Sequence, residues 1–387
     1  MKRAFLCMFM SAAVLGACGS GDASARATTA PDAPGTAPDV SSAASEPRLR
    51  VPSGLSATVF ATVPGARFMI VGPDGAAYVS QPGANQITRL VDANNDGVAE
   101  SRNIAVAGLN LPQGMAFHDG WLYIANTNGV VRVRLDQSGT AAARAEEVNR
   151  YSGGGGHSTR TMVFGPDNKM YVAIGSSCNL CVESDSDRAT VMQYDENGSN
   201  GRVFARGLRN VVGLAFEPVT HELWATQNER DNLTPNHEDL PPEEINILHA
   251  GGDYGWPYCY GNRIPNPEYH NAARCASTIP PALAIQAHSA PLGISFLRNA
   301  TQLPAEYRAD ALVALHGSWN RDVPSGAKVV RVHVQNGLPV SYEDFVTGWQ
   351  EASGSRWGRP VDVLVLGDGS VLVSDDASGE IVRIAKG

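Results

Sequence analysis

His157 is the side chain in this sequence best placed to move a proton. It follows Gly153, Gly154, Gly155 and Gly156 and precedes Ser158-Thr159-Arg160. A glycine run lets backbone approach a ligand closely, and an imidazole exchanges a proton near neutral pH. A loop histidine also serves as an ordinary hydrogen-bonding residue, so spacing alone leaves both roles open. The glycines are not a dinucleotide fingerprint, because no βαβ unit surrounds them. No serine occupies a nucleophile elbow, and no triad is legible. Asp92-Ala93-Asn94-Asn95-Asp96-Gly97 matches the first half of a calcium loop. Its twelfth position is Asn103 rather than a bidentate Glu, so the stretch reads as a polar hairpin connection. Glu238-Asp239 and Glu243-Glu244 flank Pro241-Pro242 and read as solvated acids, with calcium ligation as the alternative.

Such residues need a scaffold, and the chain repeats one. A short apolar strand, a tight polar turn and a second strand recur at residues 69–80, 115–126, 162–175, 214–227, 294–317 and 363–376. A strand-turn-strand unit at this period predicts an all-β fold, a six-bladed β-propeller. The last repeat leaves room for one further strand, while residues 55–63 (LSATVFATV) form an unassigned alternating strand. The N-terminal strand is therefore expected to complete the final blade and close the ring, which removes exposed edges. In an up-and-down blade the residues leading into each inner strand share one face. Those residues are Arg67, Gln113, His157 with Arg160, Arg209-Asn210, His288 and Arg359. A basic mouth on an acidic protein suggests an anionic ligand. The plainer reading is that these arginines pair with acids and tie blades together.

The 387 residues carry a formal net charge of −9 with no lysine-arginine run, which argues against a nucleic-acid partner. Lys2-Arg3, an apolar stretch and Leu15-Gly16-Ala17-Cys18 predict a lipoprotein-type signal over residues 1–18, with Cys18 lipidated. Residues 19–49 read as a disordered Ala/Ser/Pro-rich tether and residues 50–387 as the propeller. The expected address is periplasmic, with membrane contact only through the lipid anchor and the outer membrane favoured because Gly19 is not aspartate. Four cysteines remain beyond the signal. An even count in an exported chain favours local disulfides, Cys178–Cys181 and Cys259–Cys275, over a zinc site or a redox-active pair.

Several segments together resemble one family. They are Gly155-Gly156-His157-Ser158-Thr159-Arg160, Gly207-Leu208-Arg209-Asn210, Glu244-Ile245-Asn246, Gly251-Gly252-Asp253-Tyr254-Gly255-Trp256-Pro257 and His316-Gly317-Ser318-Trp319-Asn320-Arg321. They are similar to the quinoprotein glucose/sorbosone dehydrogenases, six-bladed propellers that hold pyrroloquinoline quinone (PQQ) and calcium; the sorbosone-dehydrogenase-like branch fits best. The resemblance implies oxidation of an aldose or sugar aldehyde, with hydride passing from sugar C1 to the quinone. It makes His157 the general base, Arg209 and Asn210 the groups at the quinone carbonyl, and Arg359 a partner of a PQQ carboxylate. The family's calcium-binding Gly-Pro carbonyls fall on Glu229-Arg230, and its PQQ-binding lysine is absent, with His316 or Arg321 as replacement. Electrons would pass to an external acceptor, a quinone or a cytochrome. A calcium-dependent propeller lactonase and a non-catalytic propeller binding a glycan or protein are the alternatives.

Overall fold

Twenty-three of the strands in the computed structural model fall into six four-stranded blades, or twenty-four once the N-terminal strand is counted into the last. The structure describes residues 46–387, so the signal segment, Cys18 and nearly all of the tether lie outside it. Blade one holds Met69–Val71, Ala77–Gln81, Gln86–Val91 and Ser101–Val106; blade two holds Met115–His118, Trp121–Asn126, Gly129–Val133 and Glu146–Arg150. Blade three holds Met162–Phe164, Met170–Ile174, Thr190–Tyr194 and Arg202–Arg206, with Gly252–Asp253 added in parallel. Blade four holds Val211–Phe216, Leu223–Gln227, Glu243–Leu248 and Leu283–Ile285. Pro291–Phe296, Ala311–Leu315, Lys328–Gln335 and Leu338–Val346 make blade five.

Ring closure follows the expectation. Pro360–Val365, Val371–Asp375 and Glu380–Lys386 form three strands of blade six, and Leu55–Thr62 pairs antiparallel with Glu380–Lys386 as the fourth. The inner strands of blades four to six begin three residues earlier than the repeat suggested, at Val211, Pro291 and Pro360. The packed chain also begins earlier than the tether boundary implied. Glu46 and Leu49 are buried, and Arg50 bridges to Thr347.

The blades cohere because each second strand is apolar on both sides. Ala77–Gln81, Met170–Ile174, Leu223–Gln227, Ala311–Leu315 and Val371–Asp375 are buried along their whole length. Six apolar clusters fill the gaps between neighbouring blades. A seventh joins Phe68, Val212, Leu292 and Val361, from blades one, four, five and six. Blades one and four are not neighbours, so these side chains meet only at the axis. They form an apolar floor directly beneath the residues that lead into the inner strands, above a channel of about 140 Å³.

Both expected disulfides are present. Cys178–Cys181 closes a turn after Met170–Ile174, and Cys259–Cys275 staples the long insertion of blade four. Closure by the N-terminal strand makes Phe60, 3 % exposed between blades six and one, a sensitive position. Phe60→Ala is expected to cost roughly 3–5 kcal/mol through lost transfer energy and a residual cavity. Urea denaturation of the variant checks this.

Candidate active site at the propeller mouth

The backbone of the glycine run is held against the next strand connection: Gly156 and His157 donate their N–H groups to the Ser177 and Ser176 carbonyls. His157 Nδ1 lies 2.8 Å from Ser176 Oγ and 3.1 Å from the Ser176 carbonyl. Ser176 Oγ in turn donates to the Cys178 carbonyl at 2.7 Å. A hydroxyl has one hydrogen to give. With that hydrogen spent on Cys178, Nδ1 must be the donor and Nε2 the bare acceptor. The ring is neutral as well as oriented. Burial first, then the Arg209 guanidinium, followed by Arg160 and Arg188, push its pKa down to about 3, against the bond to Ser176.

Arg209 is 4 % exposed and spends most of its hydrogens inside the protein. Nε and Nη2 donate to the Asn179 carbonyl and Oδ1 at 3.0 and 2.9 Å, Nη1 to the Asn228 carbonyl at 3.1 Å, and Nη2 also to Asp231 at 3.2 Å. That leaves one Nη1 hydrogen. Asn210 beside it is buried with Oδ1 unpartnered. Gly175 explains how close these groups come. A Cβ there would stand 2.6 Å from His157 Cβ and 2.8 Å from Asn210 Oδ1. His157, Arg209 and Asn210 are thus brought together.

A second group of charges lies across the blade five, six and one segment of the mouth. Asp376 accepts from His316 Nε2 at 2.9 Å and pairs with Arg67, which also reaches Gln113. Arg359 donates to the His316 and Gly317 carbonyls at 3.0 and 2.6 Å. Burial lowers the pKa of the His316 imidazole and that of the Arg359 guanidinium, opposed in each by Asp376. His288 is buried, 3.7 Å from Asp231. Arg321 goes elsewhere. It donates to the Glu238 and Val323 carbonyls and lies 3.6 Å from Asp239, within the blade-four insertion.

The mouth is less cationic than the repeat implied. Arg160 has no exposure and donates to the carbonyls of His157, Thr159 and Ser152. Its role is to knit the glycine loop, because six backbone residues without apolar side chains offer little else to hold them.

The acids of blade four require a correction. Glu243 and Glu244 are not solvated: they open the wholly buried strand Glu243–Leu248 and are 4 % and 2 % exposed. Glu243 accepts from the backbone N–H of Glu229 and Ala290; Glu244 accepts from Gln227, Asn246 and Gly261. Glu229 is buried with them. Burial raises the pKa of all three carboxyls, Glu243 to about 8, and Glu229 adds to the rise at Glu243 and Glu244. Gln227 Oε1 and Asn246 Oδ1 are buried without a donor, and among the described residues the Glu229 and Arg230 carbonyls accept no hydrogen bond. The Arg230 guanidinium turns away to Asn266 and Glu268. Glu229 and Glu244, which share the Gln227 amide, leave oxygens open to a hard cation, although the three carboxylates do not converge as one ligand set among the described residues. Glu244 and Asn246 share one face of the strand, while Glu243 lies on the other with Ile245 and Ile247. The Asp92 loop needs no ion, since Asp92 and Asn94 cap the backbone N–H groups of Asp96 and Gly97.

Residues 49–387 match the family described as TrAA12-like. The chain belongs to that family. Among its relatives, an uncharacterised protein of Borreliella burgdorferi is 34 % identical over 233 residues, covering 59 % of this chain and 60 % of its own length. A pyrroloquinoline quinone-dependent pyranose dehydrogenase of Coprinopsis cinerea is 26 % identical over 380 residues, covering 81 % of this chain and 51 % of its own. The TrAA12-like chain therefore spans about half to three fifths of the length of these two relatives. Its fold matches the calcium structure of the Trichoderma reesei carbohydrate-active enzyme of family AA12 with a TM-score of 0.77, at 22 % identity over 88 % of this chain and 97 % of that one.

The hydrogen-bond chain at His157 makes a prediction that needs no ligand. In ¹⁵N NMR the His157 ring is expected as the neutral Nδ1–H tautomer down through pH 5. A ring that titrates near the ordinary value of about 6.5 would contradict the geometry.

Proposed function

We propose that this protein is a PQQ- and calcium-dependent dehydrogenase that oxidises an aldose or related sugar aldehyde at C1. The observation that carries the reading is a neutral His157, its Nε2 bare, set beside Arg209 and Asn210 above an apolar floor. The name of the Coprinopsis relative and the calcium form of the Trichoderma enzyme support it.

The residues present fit the cofactor. PQQ is a flat tricarboxylate: Phe68, Val212, Leu292 and Val361 offer a dry base, while Arg359 and Arg67 offer donors around it. When bound, PQQ supplies the hydride acceptor. His157 takes the proton of the anomeric hydroxyl at Nε2, and the fixed Nδ1–H holds the ring to that task. Arg209 and Asn210 supply donors where negative charge develops, already oriented and partly dehydrated, which is where such groups contribute most. Glu229 and Glu244, which share the Gln227 amide, with the Glu229 and Arg230 carbonyls, would hold calcium, whose chemistry is Lewis-acid polarisation of an oxygen.

Export, lipidation at Cys18 and anchoring at the outer membrane belong to the same proposal. The signal pattern and two disulfides in one chain support it. A quinone or cytochrome would then take the electrons.

Metal-stripped protein reconstituted with PQQ and calcium is expected to reduce a dye in the presence of aldoses. His157→Ala should lose roughly 10²–10⁴-fold in kcat while still binding PQQ. Failure of the wild-type protein to bind PQQ would overturn the reading. Glu244→Gln should diminish the rise in melting temperature that calcium produces in the wild type; an unchanged rise would remove this cluster as the calcium seat.

A further inference from the structure

The turn closed by Cys178 and Cys181 reaches both groups assigned to the chemistry, His157 through Ser176 and Arg209 directly. Its Cys178 carbonyl takes the Ser176 hydrogen that fixes His157. Its Asn179 spends every polar group on the mouth. Oδ1 accepts from Arg209 Nη2 and from the Asp231 N–H at 2.8 Å, and Nδ2 donates to the Asp231 carbonyl at 3.0 Å. The Asn179 carbonyl accepts from Arg209 Nε and from the Trp256 indole. Glu183 pins the near end of the turn, accepting from the Ser177 N–H and hydroxyl at 2.6 and 2.8 Å. Blade three thereby grips the residues leading into blade four and its insertion.

We propose that the disulfide-closed turn is a positioning element for the reaction, with Asn179 orienting Arg209 and the Cys178 carbonyl setting the tautomer of His157. The inference rests on the dehydrogenase reading for its consequence in rate, but not for its geometry. A turn this short has no apolar core of its own to fix its carbonyls and amide, so the disulfide limits the conformations from which they must be ordered. Opening the clamp frees the Cys178 carbonyl and returns the Ser176 hydroxyl to the choice of donating to His157. Only the Ser176 carbonyl, at 3.1 Å, then holds the hydrogen on Nδ1, and the Nε2–H form gains population. The groups facing His157, Arg209, Arg160 and Arg188, are all cationic, so no carboxylate takes over the orienting role.

Four full-length variants test this. Asn179→Ala is expected to lower kcat by roughly 10²-fold, the scale of an ångström-level misplacement, with Asn179→Asp restoring much of it because Oδ1 survives as an acceptor. Cys178→Ser with Cys181→Ser should show a mixed His157 tautomer by ¹⁵N NMR, with circular dichroism as in the wild type. Cys259→Ser with Cys275→Ser, which cuts the other disulfide, should keep the Nδ1–H form. Wild-type activity in Asn179→Ala together with a single tautomer in the Cys178→Ser, Cys181→Ser variant would overturn the proposal. The NMR readout decides the positioning role even if the wild-type protein oxidises no sugar, in which case it is the dehydrogenase reading that falls.

Discussion

A guanidinium buried to 4 % exposure is the constraint around which the mouth is organised. Removing such a charge from water is costly unless its hydrogens find acceptors and an anion stands near. Arg209 meets that cost with Asn179 from blade three, Asn228 from the end of a blade-four strand, and Asp231 from the insertion. Those partners are separated in sequence, so each connection that supplies one is fixed by the same requirement. Asp231 extends the network to Asn320 of blade five. Burial holds the His157 pKa down, and the positive field left over adds to it, which is how a structural demand becomes a chemical one.

The scaffold was legible because its physics is periodic. Alternating apolar residues and turn signals mark every blade, and the unpaired strand at the start had only the open final blade to join. Strand direction alone puts His157, Arg209, Asn210 and Arg359 on one face. Side-chain destination was not legible in the same way. Arg160 occupies a mouth position yet turns inward, since three loop carbonyls lie beside it, of which only that of Ser152 has a second donor, in Arg188. Arg321 sits in the same motif as His316 but answers to Glu238. Each outcome depends on which acceptors lie nearby in space, and a linear repeat carries no such information.

Glu243 and Glu244 show the limit most plainly. Charged residues beside a Pro-Pro pair read as solvent-facing by composition, and nearby Asp239 is indeed exposed. They are buried because the third strand of blade four is covered on both faces. Composition describes the average segment; the place of a strand within its blade decides the one at hand.

The mouth therefore has two halves with opposite demands. Around Arg209 the protein surrounds a cation with carbonyls and an amide, and it leaves one guanidinium hydrogen and one asparagine oxygen uncommitted. Around Glu244 it gathers carboxylates and amide oxygens and leaves acceptors without donors. Neither half is satisfied by the other, although Glu229 and Glu243 both feel Arg209. A protein selected for stability alone would pair them directly, since unmatched buried polar groups cost free energy. Holding them apart on either side of the Glu229-Arg230 segment preserves an uncommitted donor next to an uncommitted set of acceptors, which is the arrangement a bound anion and a bound cation would complete together.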